Sequence, residues 1–154
     1  MAIKIIRTND DPALKRVAKR ITKIDDRIEK LVSNMLDTMY DADGIGLAAP
    51  QIGISKRVIT VDTDEGDVYK LINPEITNSS QEKEKAVEGC LSYPGLQGEV
   101  IRPRQVTVQA LDLNGEEVII EASGLLARAL QHEIDHLDGI TFIDRAENVY
   151  REES

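Results

Sequence analysis

The segment Gln131-His132-Glu133-Ile134-Asp135-His136 constrains this chain more than any other, because it asks one helix to serve two faces. Residues at i and i+4 share a helical face, so His132 and His136 are placed to hold one metal ion between them. Glu133 is rotated about 100° from His132 and can reach a water beside such an ion as general base. Leu126, Leu130, Ile134 and Leu137 recur at helical spacing as a second stripe that must pack on a core. Leu125, Ala129, His132 and His136 lie on the other side, so one face packs and the other lines a site. With Ser123 as N-cap and Gly139 as the C′ residue, the pattern predicts a helix over 124–138. The competing interpretation is a polar helix with two unrelated histidines. Yet the chain has only two histidines and both are here, which is hard to reconcile with incidental surface use.

At 154 residues the chain fits one domain, 1–154, long enough to bury a sizeable core. No apolar run is long enough to span a bilayer, and Met1-Ala2-Ile3-Lys4 lacks the apolar stretch of a secretory signal. The expectation is a soluble cytoplasmic protein without a membrane partner. The single cysteine, Cys90, cannot form an intrachain disulfide, which agrees with a reducing compartment. A formal net charge of −9 with no basic tract argues against a nucleic-acid-binding surface.

In chain order, Asp11-Pro12 has the form of an N-cap followed by N1, predicting a short helical turn. Ile24, Ile28, Leu31, Val32, Met35, Leu36 and Met39 step by three and four, predicting an amphipathic helix over 26–40 that ends at Asp41-Ala42-Asp43-Gly44. Gly44 to Gln51 is too rich in small residues for an ordinary helix or strand and is expected to be a shaped loop. Strands are expected at 57–62 and 68–72 around a turn at Asp64-Glu65-Gly66-Asp67, and at 105–111 and 117–121 around Asn114-Gly115. The sheet should be largely antiparallel. The polar stretch 78–85 is expected to be an exposed loop, and Glu88 to Ser92 to lie on or beside an edge strand.

A catalytic zinc-type site uses three protein ligands and keeps one position open. The extended pattern H-E-x-x-H-x-x-G-x-x-H is ruled out, because Gly139 fits but Phe142 stands where the third histidine would be. A glutamate well downstream has little chain to come from, since Glu147, Glu152 and Glu153 sit in a polar tail. The remaining strong donor is Cys90, as a thiolate, which would complete a His2Cys set.

Three separated stretches together resemble the peptide deformylase family: Gly44-Ile45-Gly46-Leu47-Ala48-Ala49-Pro50-Gln51, Glu88-Gly89-Cys90-Leu91-Ser92, and Gln131 to His136. Their order and spacing agree with the family over nearly the whole chain. The resemblance implies an α+β fold, with antiparallel β-sheets packed around a central metal-binding α-helix. It implies removal of the formyl group from the N-terminal formylmethionine of newly made proteins. Cys90, His132 and His136 would hold Fe2+, with Zn2+, Ni2+ or Co2+ able to replace it. Glu133 would carry the proton, and the Gln51 side-chain amide and Leu91 backbone N–H would stabilise the oxyanion. Ile45 and Gly46 would bind the substrate backbone, and Leu125 and Ala129 would line the methionine pocket. The implied partners are N-formylmethionyl nascent peptides, with transient ribosome association.

This sequence departs from many relatives at Arg128, where they carry an apolar residue, and Ala86 and Ala129 are small. Arg128 is expected at the pocket rim with its head in water. The segment 143–154 is too short and polar for the terminal helix by which some members dock on the ribosome. A zinc endopeptidase with another third ligand, and a silent domain with a structural metal, are the competing readings.

Overall fold

A computed structural model describes residues 2–151. Two helices and two antiparallel sheets make the frame. Helix α1 spans Asp26–Asp41, and the Asp25 side chain accepts from the Arg27 N–H at its start. Strand β1 is Gly46–Ala48, β2 is Val58–Asp62 and β3 is Val68–Ser79. Strand β4 is Lys83–Gly89, β5 is Leu96–Pro103, β6 is Gln105–Leu111 and β7 is Glu117–Ser123. Helix α2 spans Gly124–Leu137, a short helix α3 spans Phe142–Arg145, and β8 is Val149–Arg151. One sheet runs β1-β2-β3-β6-β7 and the other β4-β5-β8, each antiparallel throughout.

The five-stranded sheet is covered on both faces at β2, and the sequence of that strand shows why. Val58-Ile59-Thr60-Val61 is buried without alternation, as a strand between two layers should be. Val58 packs with Ile28, Val32, Met35 and Met39 of α1, and Thr60 reaches the Met39 sulfur. Ile59 and Val61 point the other way, into a cluster with Ala127, Leu130, Ile134 and Leu137 of α2. The apolar stripe of α2 therefore meets the sheet as expected, and its histidine face is turned toward the three-stranded sheet. A third cluster, Leu14, Tyr93, Val100 and Phe142, fills the space beneath that smaller sheet.

The turn after Asp11 is a 3-10 turn over Pro12–Lys15, with the Asp11 carboxylate accepting from the Ala13 N–H. Both expected hairpins form. Two expectations need correction. Residues 78–85 are not a loop: β3 continues to Ser79 and β4 begins at Lys83. The end of β3 is polar because it is exposed, yet Asn78 and Ser79 still pair with Thr107 and Val106 of β6. The Gly44 to Gln51 stretch is only partly a loop, since Gly46–Ala48 pairs with β2 and Ala49–Ile52 forms a 3-10 turn. Strands β5 and β8 and helix α3 had no counterpart in the sequence reading, because β5 turns Gly98 and Arg102 inward and β8 is exposed, so neither shows an apolar rhythm. Ser123 stands at the N-cap of α2, though without a side-chain capping bond. Glu152 and Glu153 lie outside the described residues.

Gly139 follows α2 at φ 74°, and a Cβ there would come within 2.6 Å of the Lys15 carbonyl oxygen. Gly115, in the second hairpin, has φ 78° but nothing nearer such a Cβ than 3.8 Å. Left-handed backbone alone costs a residue with a Cβ about 1–2 kcal/mol. Gly115→Ala should therefore lower the unfolding free energy by about 1 kcal/mol, and Gly139→Ala by clearly more, since a main-chain oxygen must also move. Urea midpoints at constant slope measure both, and equal losses would remove the close approach as a constraint.

Candidate active site

Strand β4 and helix α2 supply most of the site, and a buried ionic network holds them in register. Glu88, the last inward residue of β4, faces His132 across the gap between strand and helix. The His132 Nδ1 lies 2.9 Å from Glu88 Oε1. A carboxylate only accepts, so Nδ1 carries a proton and Nε2 is the ring nitrogen turned to the site. Arg102, 3% exposed on β5, donates to both Glu88 oxygens at 2.6 and 3.0 Å and to Asp135 at 2.9 Å. Burial pushes the Glu88 carboxyl up, but the bonds from His132 and Arg102 and the Arg102 charge outweigh it, leaving Glu88 ionised well below the usual carboxylate range.

Just past Glu88, the chain leaves β4 and turns Cys90 inward. Its Sγ lies 3.3 Å from His136 Nε2. One donor atom from each of Cys90, His132 and His136 falls within 4.8 Å of the others. Burial, and then the neighbouring His132, hold the His136 pKa well below its ordinary value, so this imidazole is neutral and able to donate a lone pair. A thiolate and two imidazoles suit Fe2+, Zn2+, Ni2+ and Co2+, so the residues present fit a transition-metal ion.

Glu133 lies beside this cluster without joining it. Its Oε2 is 4.0 Å from His132 Nε2, and its Oε1 is buried with no hydrogen-bond partner. Burial first, with the nearby Glu88 charge adding to it, raises the Glu133 pKa to about 7 against the pull of His132. On the far side, Gln51 is positioned by its own turn: Oε1 accepts from the Ala48 N–H at 2.9 Å, and Nε2 donates to Ser92 Oγ at 3.1 Å. The same Nε2 is 3.6 Å from Cys90 Sγ, so the amide is aimed at the donor cluster.

A cavity of about 470 Å³ opens onto these groups. Ile45, Gly46, Gln51, Cys90, Leu91, Leu125, Ala129, His132 and Glu133 all line it, and His136 lies behind them. The structure thus brings together every residue the sequence singled out. Ile45 and Leu125 form apolar lips, 42% and 50% exposed, while Ala129 is buried in the wall.

Arg128 departs from expectation. Its head is not in water but turned over β4, donating to Glu88 Oε2 at 2.6 Å, the Val100 carbonyl at 3.0 Å and the Glu84 carbonyl at 2.7 Å. Two carbonyls and a buried carboxylate offer a guanidinium more than partial hydration does. Glu88, Arg102 and Asp135 were given no role from sequence, although Glu88 and Asp135 stand inside the motifs. The available signal was a charge on the inward phase of β4 and of β5, where a core residue would ordinarily be.

An α+β protein with a cysteine and two histidines converging beside a buried, raised-pKa carboxylate in an apolar-lipped cavity has the make-up of a small hydrolase. A family model described as polypeptide deformylase matches residues 3–152. The peptide deformylase of Natranaerobius thermophilus is 75% identical over 153 residues, covering 99% of this chain and 98% of its own. Among solved structures, the peptide deformylase of Thermotoga maritima superposes with a TM-score of 0.93 at 42% identity, covering 96% of this chain and 100% of that one. The enzyme from Synechococcus elongatus, solved in complex with actinonin, gives a TM-score of 0.91 at 46% identity over 94% of this chain and 79% of that one. The chain belongs to the peptide deformylase family, metal-dependent enzymes that remove N-formyl groups from nascent peptides.

The raised Glu133 pKa has a consequence for stability in metal-free protein. An unfolded glutamate releases its proton near 4.5, whereas the folded one keeps it toward 7, so this group makes the fold less stable as pH rises between those values. Glu133→Gln imitates the protonated form at every pH. Metal-free wild type and variant should match near pH 4.5, and the variant should lead by on the order of 2 kcal/mol at pH 8. Denaturant melts across that range decide it, and parallel curves would contradict the burial of an ionisable Glu133.

Proposed function

We propose that this chain removes the formyl group from the N-terminal formylmethionine of newly synthesised proteins and releases formate, using an Fe2+ ion held by Cys90, His132 and His136. Zn2+, Ni2+ or Co2+ would serve in its place. The observation that carries this reading is the convergence of those three donors within 4.8 Å, beside a buried Glu133 carboxylate. When bound, such an ion supplies Lewis acidity that makes water nucleophilic at neutral pH.

The rest of the chemistry belongs to the side chains. Glu133, poised near neutrality, takes a proton from the attacking water and returns it to the amine nitrogen as the formyl C–N bond breaks. The Gln51 amide and the Leu91 backbone N–H donate to the oxygen of the formyl group as charge develops on it. Gln51 is held for this by Ala48 and Ser92, so little reorganisation accompanies the reaction. Ile45 and Gly46 offer backbone to an extended peptide, and Ile45, Leu125 and Ala129 enclose an unbranched apolar side chain.

We infer further that residues 1–154 work as one catalytic unit in the cytoplasm, meeting nascent chains through transient contact with the ribosome. No helix among the described residues is long and apolar enough to cross a membrane, and the net charge of −9 disfavours direct nucleic-acid binding.

Cys90→Ser should lose most bound metal along with activity, since a hydroxyl is a far weaker donor than a thiolate. Glu133→Gln should keep the metal and lose activity by at least about 10²- to 10⁴-fold. Metal analysis beside a formate-release assay reads both, and a Cys90→Ser protein with full metal would sink the ligand assignment. Formyl-Ala peptides should show a kcat/KM about 10- to 100-fold below formyl-Met peptides, from the lost burial of one apolar side chain. Formyl-norleucine should approach formyl-Met, and a formyl-Glu peptide preferred over formyl-Met would refute the apolar pocket.

A further inference from the structure

Glycine at position 46 is required by something other than backbone conformation. Its φ is not positive, unlike Gly53, Gly115 or Gly139, and it sits as an ordinary strand residue of β1 opposite Val61. Any L-residue can adopt that backbone. Space is what forbids a side chain. A Cβ on Gly46 would lie 2.6 Å from Glu133 Oε2 and 3.0 Å from Glu133 Cγ and Cδ, with no other atom among its three nearest neighbours. The void above the Gly46 α-carbon is therefore filled by the Glu133 carboxylate.

That carboxylate has few other restraints. Oε1 makes no hydrogen bond, and Oε2 is 4.0 Å from His132 Nε2, beyond hydrogen-bond range. Its location is set by packing against a wall, and Gly46 is part of that wall. The neighbouring Gly44 makes the same arrangement with another site residue: a Cβ there would meet Leu91 Cδ1 at 2.6 Å.

We propose that Gly46 is a positioning residue for Glu133, its bare α-carbon fixing where the proton-carrying carboxylate stands relative to Cys90, His132 and His136. This rests on the reading of Glu133 as the proton carrier and adds to the backbone contact that Gly46 would offer the peptide. A methyl group at position 46 is accommodated by moving the end of a flexible side chain and not by moving main chain. The fold and the metal donors survive the change, and the carboxylate does not stay in place. Displacement of a catalytic group by about 1 Å costs on the order of 100-fold in rate.

The test is a double-mutant cycle on metal-loaded protein, combining Gly46→Ala with Glu133→Asp, whose carboxylate ends one methylene short of the new methyl. Gly46→Ala alone should keep the wild-type metal content, lower kcat about 100-fold, and change KM for a formyl-Met tripeptide by less than about threefold. In the Glu133→Asp background the same substitution should lower kcat by less than about threefold, because the 2.6 Å clash with Oε2 is gone and only the 3.0 Å contact at the Cγ position remains. A crystal structure of Gly46→Ala should show the Glu133 carboxylate moved and the Cys90, His132 and His136 donors unmoved. A rise in KM with kcat unchanged, or equal losses of kcat in both backgrounds, overturns the proposal and leaves Gly46 to the peptide alone. If Gly46→Ala fails to fold, Gly46→Ala with Glu133→Ala must fold, and an unfolded double variant overturns it equally. If Glu133→Gln retains wild-type kcat, the proton-carrier reading falls, and the carboxylate position in the Gly46→Ala crystal still decides whether Gly46 forms its wall.

Discussion

Everything in this site hangs on one buried carboxylate. Glu88 accepts from Arg102 twice, from Arg128 once and from His132 once, so each of its oxygens is engaged by two donors in a place water barely reaches. Removing one partner from such a set leaves a buried charge uncompensated, which typically costs about 3–5 kcal/mol. Glu88 belongs to β4, Arg102 to β5, and Arg128 and His132 to α2. The pairing of these charges therefore sets the distance between the small sheet and the helix, and that distance fixes where Cys90 stands relative to the two histidines. Asp135 extends the same network to Arg145 beyond the end of α2.

The α2 motif shows how densely one helix can be used. Leu130, Ile134 and Leu137 are buried in the five-stranded sheet's cluster. His132 and His136 face the cysteine, Glu133 faces Gly46, and Asp135 faces the arginines. Every side chain from Ala129 to Leu137 is buried. A helix with no free face tolerates polar residues only where each has a designated partner, and the orphaned Oε1 of Glu133 and Nδ1 of His136 are the exceptions among the described residues. The first belongs to the group proposed to exchange protons, for which a fixed partner would be a hindrance.

What the sequence disclosed follows from which forces leave a periodic trace. Apolar patterning gave α1, α2 and the start and pairing of both hairpins, but β3 runs seven residues past the expected end because its exposed, polar half carries no apolar rhythm. The candidate donor cluster was legible from donor scarcity, with one cysteine and two histidines in the chain, and the structure brings those three residues together. The proposed substrate-side roles of Gln51, Leu91 and Leu125 rest on family likeness, since nothing in a lone Gln or Leu announces a site. Strand β5 was hidden because its inward positions are a glycine, a valine and an arginine, and β4 because most of it is exposed. Arg128 was misplaced for a related reason. A long cationic side chain beside a pocket ordinarily keeps its head in water, and only the three-dimensional neighbourhood shows two strand carbonyls and Glu88 offering better partners.

The division of the site along the chain bears on how the protein comes into being. Glu88 and Cys90 are made before α2, whose residues later cover one and converge with the other. A chain growing from its N-terminus thus exposes an acidic side chain and a thiol while their partners are still unsynthesised, and domains settle as units only once their distant contacts are available. Assembly of the pocket must wait until residues 132–136 have left the ribosome, with α3 and β8 closing over the small sheet afterward. In a family that acts on nascent peptides, this geometry requires the chain to be synthesised past His136 before its own pocket can form.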